Sequence, residues 1–214
     1  MKITLIDAGK RFNRDWIFRH LHYNFSPAHS YAITGPNGSG KSTLLQTIAG
    51  ATAFSEGTIH YEDSAVHTAR APEPPHTAIA PDLAYKRLSL CAPYLEVVEE
   101  MTVTEFLQFH AAFKPLLLPI PAIIEKVGLA TAAHKQIRYY SSGMKQRVRL
   151  AQALFSDTSA LLLDEPCTNL DTDGIALYRH LIAEYTPNRL LIVSSNDVQE
   201  YDFCEEKINI RDYK

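Results

Sequence analysis

Cysteine is scarce in this chain. Cys91, Cys167 and Cys204 are the three present, far apart, with no CxxC pair and no metal-ligand spacing. That excludes a disulfide scaffold and a zinc ribbon and predicts reduced thiols. Long apolar runs are missing too: the most apolar segment, Leu116 to Ile124, is short and broken by Pro119 and Pro121, whereas a bilayer span needs roughly 20 apolar residues. The opening stretch, Met1 to Asp7, lacks the apolar core of a signal peptide. A cytoplasmic chain is expected, with any membrane role supplied by a separate subunit. Nor is one charge in surplus. The 21 Lys plus Arg against 24 Asp plus Glu leave a net charge of -3, so no bulk field draws polyanions and no nucleic acid partner is expected. Repeats and low-complexity tracts are absent as well.

What is there fits a folded domain. Its 214 residues, 46% hydrophobic and 21% charged, exclude disordered and collagen-like chains and suit one domain over 1–214. Three short apolar runs lack alternation: Ser30 to Thr34, Ala160 to Leu163, and Leu190 to Ser194. Strands covered on both faces of a parallel sheet read this way. Each run ends at a polar cluster, Gly35 to Thr43, Asp164-Glu165, and Ser195-Asn196-Asp197. Ligands of open α/β sheets bind beyond the carboxyl ends of the strands, so the three ends are expected at one site. Ala71 to Pro81, with four prolines, predicts a loop. From Thr104 to Leu129 the spacing becomes helical, through Phe106, Phe109, His110 and Phe113 and then Ile123, Ile124 and Val127, divided by a break from Pro115 to Pro121. A further helix should start at Ser142, with Met144, Val148, Ala151 and Phe155 on one face and Lys145, Gln146, Arg149 and Gln152 off it.

Gly35-Pro36-Asn37-Gly38-Ser39-Gly40-Lys41-Ser42 matches GxxxxGK[ST] at every specified position, between a strand and the helical run Leu44 to Ala49. The loop and Thr43 are expected to bind the phosphates of ATP through backbone N–H groups and the helix N-terminus. Lys41 should reach the β and γ phosphates and Ser42 should ligate Mg²⁺. A chance glycine-rich turn is the bland alternative, and the strand and helix around it argue against that. Asp164-Glu165 puts two acids at a buried strand end, where an unpaired carboxylate costs several kcal/mol. Asp164 is the expected Mg²⁺ partner, and Glu165 the residue that polarises the attacking water.

Between these motifs lies Tyr140-Ser141-Ser142-Gly143-Met144-Lys145-Gln146-Arg147, a variant of the LSGGQ signature, and with it the chain resembles the ATP-binding cassette family over nearly its whole length. Tyr140, Ser142 and Met144 depart from the family's residues. Ser141, Ser142 and Gly143 would in any case sit at a helix N-terminus able to bind an anion. The resemblance implies an α/β fold: a P-loop NTPase core with a mainly parallel sheet flanked by helices, an N-terminal antiparallel β portion, and a small helical subdomain at about 94–140. It implies a head-to-tail, ATP-dependent homodimer in which Ser141 to Gly143 of one copy close over the phosphate loop of the other. It implies Cys167 to Asp171 as the crossing D-loop and Phe12 as the aromatic on adenine, with Trp16 as a rival. It also implies a transmembrane permease partner that holds the chain peripherally on the inner face of the cell membrane.

Two positions depart further. The family's Gln before the helical subdomain falls on Pro93 or Tyr94, and its switch His falls on Asn196, whose amide can donate to phosphate but carries no charge. Binding is expected to survive these changes while hydrolysis slows. An ATPase motor of a transporter is the reading preferred, with a low-turnover, ATP-dependent dimerising regulatory module as the alternative. An ordinary small-molecule kinase gives Ser141 to Gly143 no role.

Overall fold

The apolar runs without alternation lie where both faces meet other apolar side chains. In the computed structural model, residues 1–63 and 77–214 are described. The chain opens with β1 (Lys2–Phe12), β2 (Asp15–Phe25), β3 (Ser30–Thr34), α1 (Lys41–Ile48), β4 (Glu56–Asp63), β5 (Thr77–Ile79) and β6 (Leu88–Cys91). It continues with α2 (Val103–Ala111), α3 (Ile120–Lys126), α4 (Ser142–Leu154), β7 (Ala160–Asp164), α5 (Thr172–Tyr185), β8 (Leu190–Ser194) and β9 (Glu206–Asn209). Strands β6-β7-β8-β3-β9 form a parallel sheet and β2-β1-β4-β5 an antiparallel one. This is the α/β arrangement expected, with the antiparallel part at the N-terminus.

Alternate residues of β7 and β8 feed two cores. Leu161, Leu163, Leu191 and Val193 pack with α2, α3, α4 and α5, while Ala160, Leu162, Leu190 and Ile192 pack with α1 and the antiparallel sheet. Burial on both sides of the pleat removes the need for polar residues at every second position. In register, Cys91 faces Leu163, Asp164 faces Ser194, and Ile33 faces Ser194. The carboxyl ends of β6, β7, β8 and β3 therefore share one edge.

The helical portion starts at a capping box: the Thr102 hydroxyl accepts from the Glu105 N–H, and the Glu105 carboxylate accepts from the Thr102 N–H at 2.8 Å. The expected break from Pro115 to Pro121 is shorter than its prolines suggest, because Pro121 sits in the first turn of α3, where its missing N–H costs nothing. Two side chains of the α2 pattern also differ: Phe109 and Phe113 are exposed and stack edge to face at 5.2 Å, while Phe106 is buried. Of the segment predicted to be a loop, Thr77–Ile79 pairs with β4 and Pro81–Lys86 forms a 3-10 helix, with Pro81 again in its opening turn. Residues 71–76 lie outside the described residues. Helix α4 begins at the expected Ser142, but Gln146 is fully buried rather than off the packed face. Among the described residues, no helix is long and apolar enough to cross a membrane.

Candidate functional site

Strand β3 runs into Gly35 to Gly40, and that loop into α1. Gly40 caps the helix with φ 107°, and a Cβ there would lie 2.3 Å from Ile17 Cγ2 on β2, so neither the backbone nor the space admits a side chain. With no side chain at the cap and no acid in the first turn, the opening N–H groups of α1 have no side-chain acceptor among the described residues. Lys41 is buried, its ammonium folded onto the Pro36 carbonyl at 3.2 Å. Ser39 is also buried, and its hydroxyl has no partner among the described residues. An orphaned hydroxyl, a buried ammonium and unpaired amides on one loop fit a polyanionic phosphate chain.

Asp164 ends β7 with 1% of its surface exposed, and the Ser194 hydroxyl donates to its Oδ1 at 2.7 Å. Burial pushes its carboxyl above the usual range, opposed by hydrogen bonds from Ser194 and Ser42 and by the charge of Lys41. A carboxylate that pays desolvation beside a hydroxyl and an ammonium is suited to a divalent cation. Ser42 and Asp164 could hold Mg²⁺ between them. Glu165 follows with φ 43°, a left-handed backbone that costs a non-glycine residue about 1–2 kcal/mol. Its N–H donates to the Ser194 carbonyl at 2.9 Å, tying β7 to β8. Among the described residues no group pairs with the Glu165 carboxylate, which leaves it able to take a proton from water.

Asn196 follows β8 and donates from Nδ2 to Asn37 Oδ1 at 3.0 Å, so the residue after this strand touches the phosphate loop. Glu200, four residues on, was not among the residues expected at the site. It is buried, its Oε1 accepts from the Cys167 N–H at 2.7 Å, and its Oε2 has no partner among the described residues. Burial raises its carboxyl, as do Asp197 and Glu165, while bonds from Ser195 and Cys167 oppose them. Beyond β6, Tyr94 is partly exposed, its phenol raised by burial and lowered by a hydrogen bond with Gln46, with Asp164 close enough to raise it again. Of the two positions, Pro93 contributes no polar side chain and Tyr94 only this phenol.

Ser141 caps α4, accepting from the Met144 N–H at 3.2 Å. Ser141, Ser142 and Gly143 line an open cavity of about 340 Å³ with Met144, Arg147 and the 169–171 turn. A Cβ on Gly143 would lie 2.9 Å from the Asn169 carbonyl oxygen. Asp171 caps α5 through the Gly174 N–H at 2.8 Å and pairs with Arg147 at 3.6 Å. No hydrogen bond or ion pair among the described residues joins this cap to Gly35–Thr43 of the same chain. Phe12 ends β1 half exposed, with Lys10 Nζ 4.9 Å from its ring centre. Trp16 is covered by Arg11 at 5.5 Å and Arg19 at 4.4 Å. Phe12 is thus the freer platform.

A family model described as ABC transporter matches residues 18–168. The cytochrome c biogenesis ATP-binding export protein CcmA of Xylella fastidiosa is 34% identical over 166 residues, 77% of this chain and 70% of that protein. The Nod factor export ATP-binding protein I of Rhizobium johnstonii is 30% identical over 187 residues, 85% of this chain but 55% of that protein. A solved chain from Pyrococcus furiosus, assigned to an ABC transporter as its ATP-binding protein, shares the fold at a TM-score of 0.81 and 21% identity, covering 100% of both chains.

Proposed function

The chain belongs to the ABC transporter family, and from that premise we propose that it is an ATP-binding and ATP-hydrolysing motor subunit that drives transport through a separate membrane subunit. One observation carries this reading. The phosphate loop, Asp164-Glu165 and Asn196 meet at one sheet edge, with Asp164 bonded to Ser194 at 2.7 Å and Asn196 to Asn37 at 3.0 Å. The first-turn amides of α1, with Lys41, would bind the phosphates of ATP, and Phe12 would stack on the base. Ser42 and Asp164 would hold Mg²⁺, which when bound supplies charge compensation across the β and γ phosphates. Glu165 would take the proton of the attacking water at its carboxylate. Ser141 to Gly143 of a second copy would complete the site head to tail, and release of phosphate would reopen it. The permease partner would hold the chain on the cytoplasmic face of the membrane. One named relative is an export protein of cytochrome c biogenesis and another serves Nod factor export, so no cargo carries over.

A low-turnover regulatory dimer is the second reading. The observation favouring it is that the Asn196 amide, uncharged, already bonds to Asn37. Steady-state phosphate release, alone and with candidate membrane proteins, separates the two. Glu165→Gln should lower turnover about a hundredfold or more while trapping an ATP-bound dimer visible by light scattering. Release equal to that variant under every condition would favour the regulatory module.

A further inference from the structure

The segment from Ala92 to Glu100 leads from the sheet edge into the helical portion, and at Pro93 it offers no side-chain donor or acceptor. It is nevertheless tied to the acidic strand end by another route. Arg149, half-buried on α4, donates from Nε to the Leu95 carbonyl at 2.6 Å and from Nη1 to Gln146 Oε1 at 3.3 Å. Gln146, one turn earlier and fully buried, donates from Nε2 to the Pro166 carbonyl at 2.8 Å and approaches Cys91 Sγ at 3.8 Å. Pro166 is the residue after Glu165. Lys145 adds a second fastening, pairing with Glu99 Oε1 at 2.5 Å.

Two features mark this as more than incidental packing. Arg149 has no carboxylate partner among the described residues, although an isolated guanidinium is costly to bury even in part. Its planar donors are spent on two neutral acceptors that belong to different parts of the chain. Gln146, likewise, places both ends of one amide: its oxygen faces Arg149, and its nitrogen faces the turn after β7. A buried amide satisfied at both ends holds a unique geometry. The result is a continuous path, Leu95 to Arg149 to Gln146 to Pro166, with no gap wider than a hydrogen bond.

We infer that Arg149 and Gln146 are positioning residues for ATP hydrolysis: they transmit displacements of the 92–100 segment to Glu165, a link that Pro93 has no polar side chain to make. This rests on the ATPase reading above. The path reaches the water-activating carboxylate through one peptide bond and does not touch Gly35–Thr43. Loosening it should therefore affect the chemical step and leave nucleotide capture alone. Lys at 149 can donate to one of the two acceptors but lacks the fork that spans both.

The test is steady-state ATPase of the full chain with Arg149→Met and Arg149→Lys, beside wild type and Glu165→Gln, with thermal melts to show that each variant is folded. Arg149→Met should lower kcat about tenfold with KM for ATP within about twofold of wild type, and Arg149→Lys should recover part of that loss. A kcat for Arg149→Met within about twofold of wild type overturns the relay. So does a parallel change in kcat and KM that Arg149→Lys fails to relieve. Wild-type turnover no higher than that of Glu165→Gln overturns the ATPase reading and the relay with it, whereas wild-type turnover with an indifferent Arg149→Met overturns the relay alone.

Discussion

Four strands end at one edge of the parallel sheet, and they fall into two kinds. Strands β3 and β7 run into Gly35–Thr43 and Asp164-Glu165, which keep every position that the phosphate-loop and acid motifs specify. Strands β6 and β8 run into Pro93-Tyr94 and Asn196, which depart from the residues that the family resemblance leads one to expect. The first pair works through backbone and burial: the cap glycine cannot accept a Cβ beside Ile17, and Asp164 is locked under Ser194. Each of the second pair ends in one side chain open to solvent, Tyr94 or Asn196. A function written in the backbone changes only if the fold changes. One written in a single surface group can be exchanged or moved onto other residues, as the path through Arg149 illustrates.

Three substitutions probe that contrast. The largest effect belongs to the pair that matches its motifs: Lys41→Ala should weaken ATP binding by about a hundredfold, since a charge at the phosphates is removed from a buried site. Equilibrium binding of ATP checks this, and unchanged affinity would break the comparison at its stronger side. Asn196→His belongs to the other pair. It should raise turnover a few fold, roughly 1 kcal/mol in the barrier, with KM little moved, because it adds a charge that the neutral amide lacks. No gain in phosphate release would mean that another group already does this work.

The smallest effect comes from a control away from the edge. His110 bonds through Nε2 with Ser156 Oγ at 2.8 Å, and Gln152 meets its Nδ1 at 3.2 Å. Burial, with Lys114 nearby, pushes its pKa down to about 4. Between the ordinary value near 6.5 and about 4, the unfolded chain binds a proton that the folded chain declines. Its contribution to stability is therefore present at neutral pH and is lost as pH falls through that window. His110→Gln should flatten the acid limb of a denaturation series by on the order of 0.5 kcal/mol per pH unit, discounted for partial exposure. It should leave ATP affinity at neutral pH unchanged.

The same division governs how far the sequence could be read. The ends of β3, β7 and β8 were visible because strands buried on both faces leave uninterrupted apolar runs, and the phosphate loop was visible because its spacing is fixed by backbone geometry. Strand β9 was not, since an edge strand can carry Glu206, Lys207 and Asn209 facing solvent. Strands β1 and β2 carry register shifts, with Asp7 and His20 at positive φ, and bulges erase the two-residue alternation that a reader counts. Phe109 and Phe113 fit an apolar stripe yet lie in solvent. Gln146 fits none and is fully buried. Periodicity counts apolar residues and so misses a polar one buried for its hydrogen bonds. Glu200 and Arg149 escaped for the same reason, with charged residues expected outside unless a partner is known.

Gly143 has one further consequence. With the Asn169 carbonyl oxygen only 2.9 Å from where its Cβ would stand, any residue of greater bulk at this position would push the start of α4 and the turn that follows Glu165 apart.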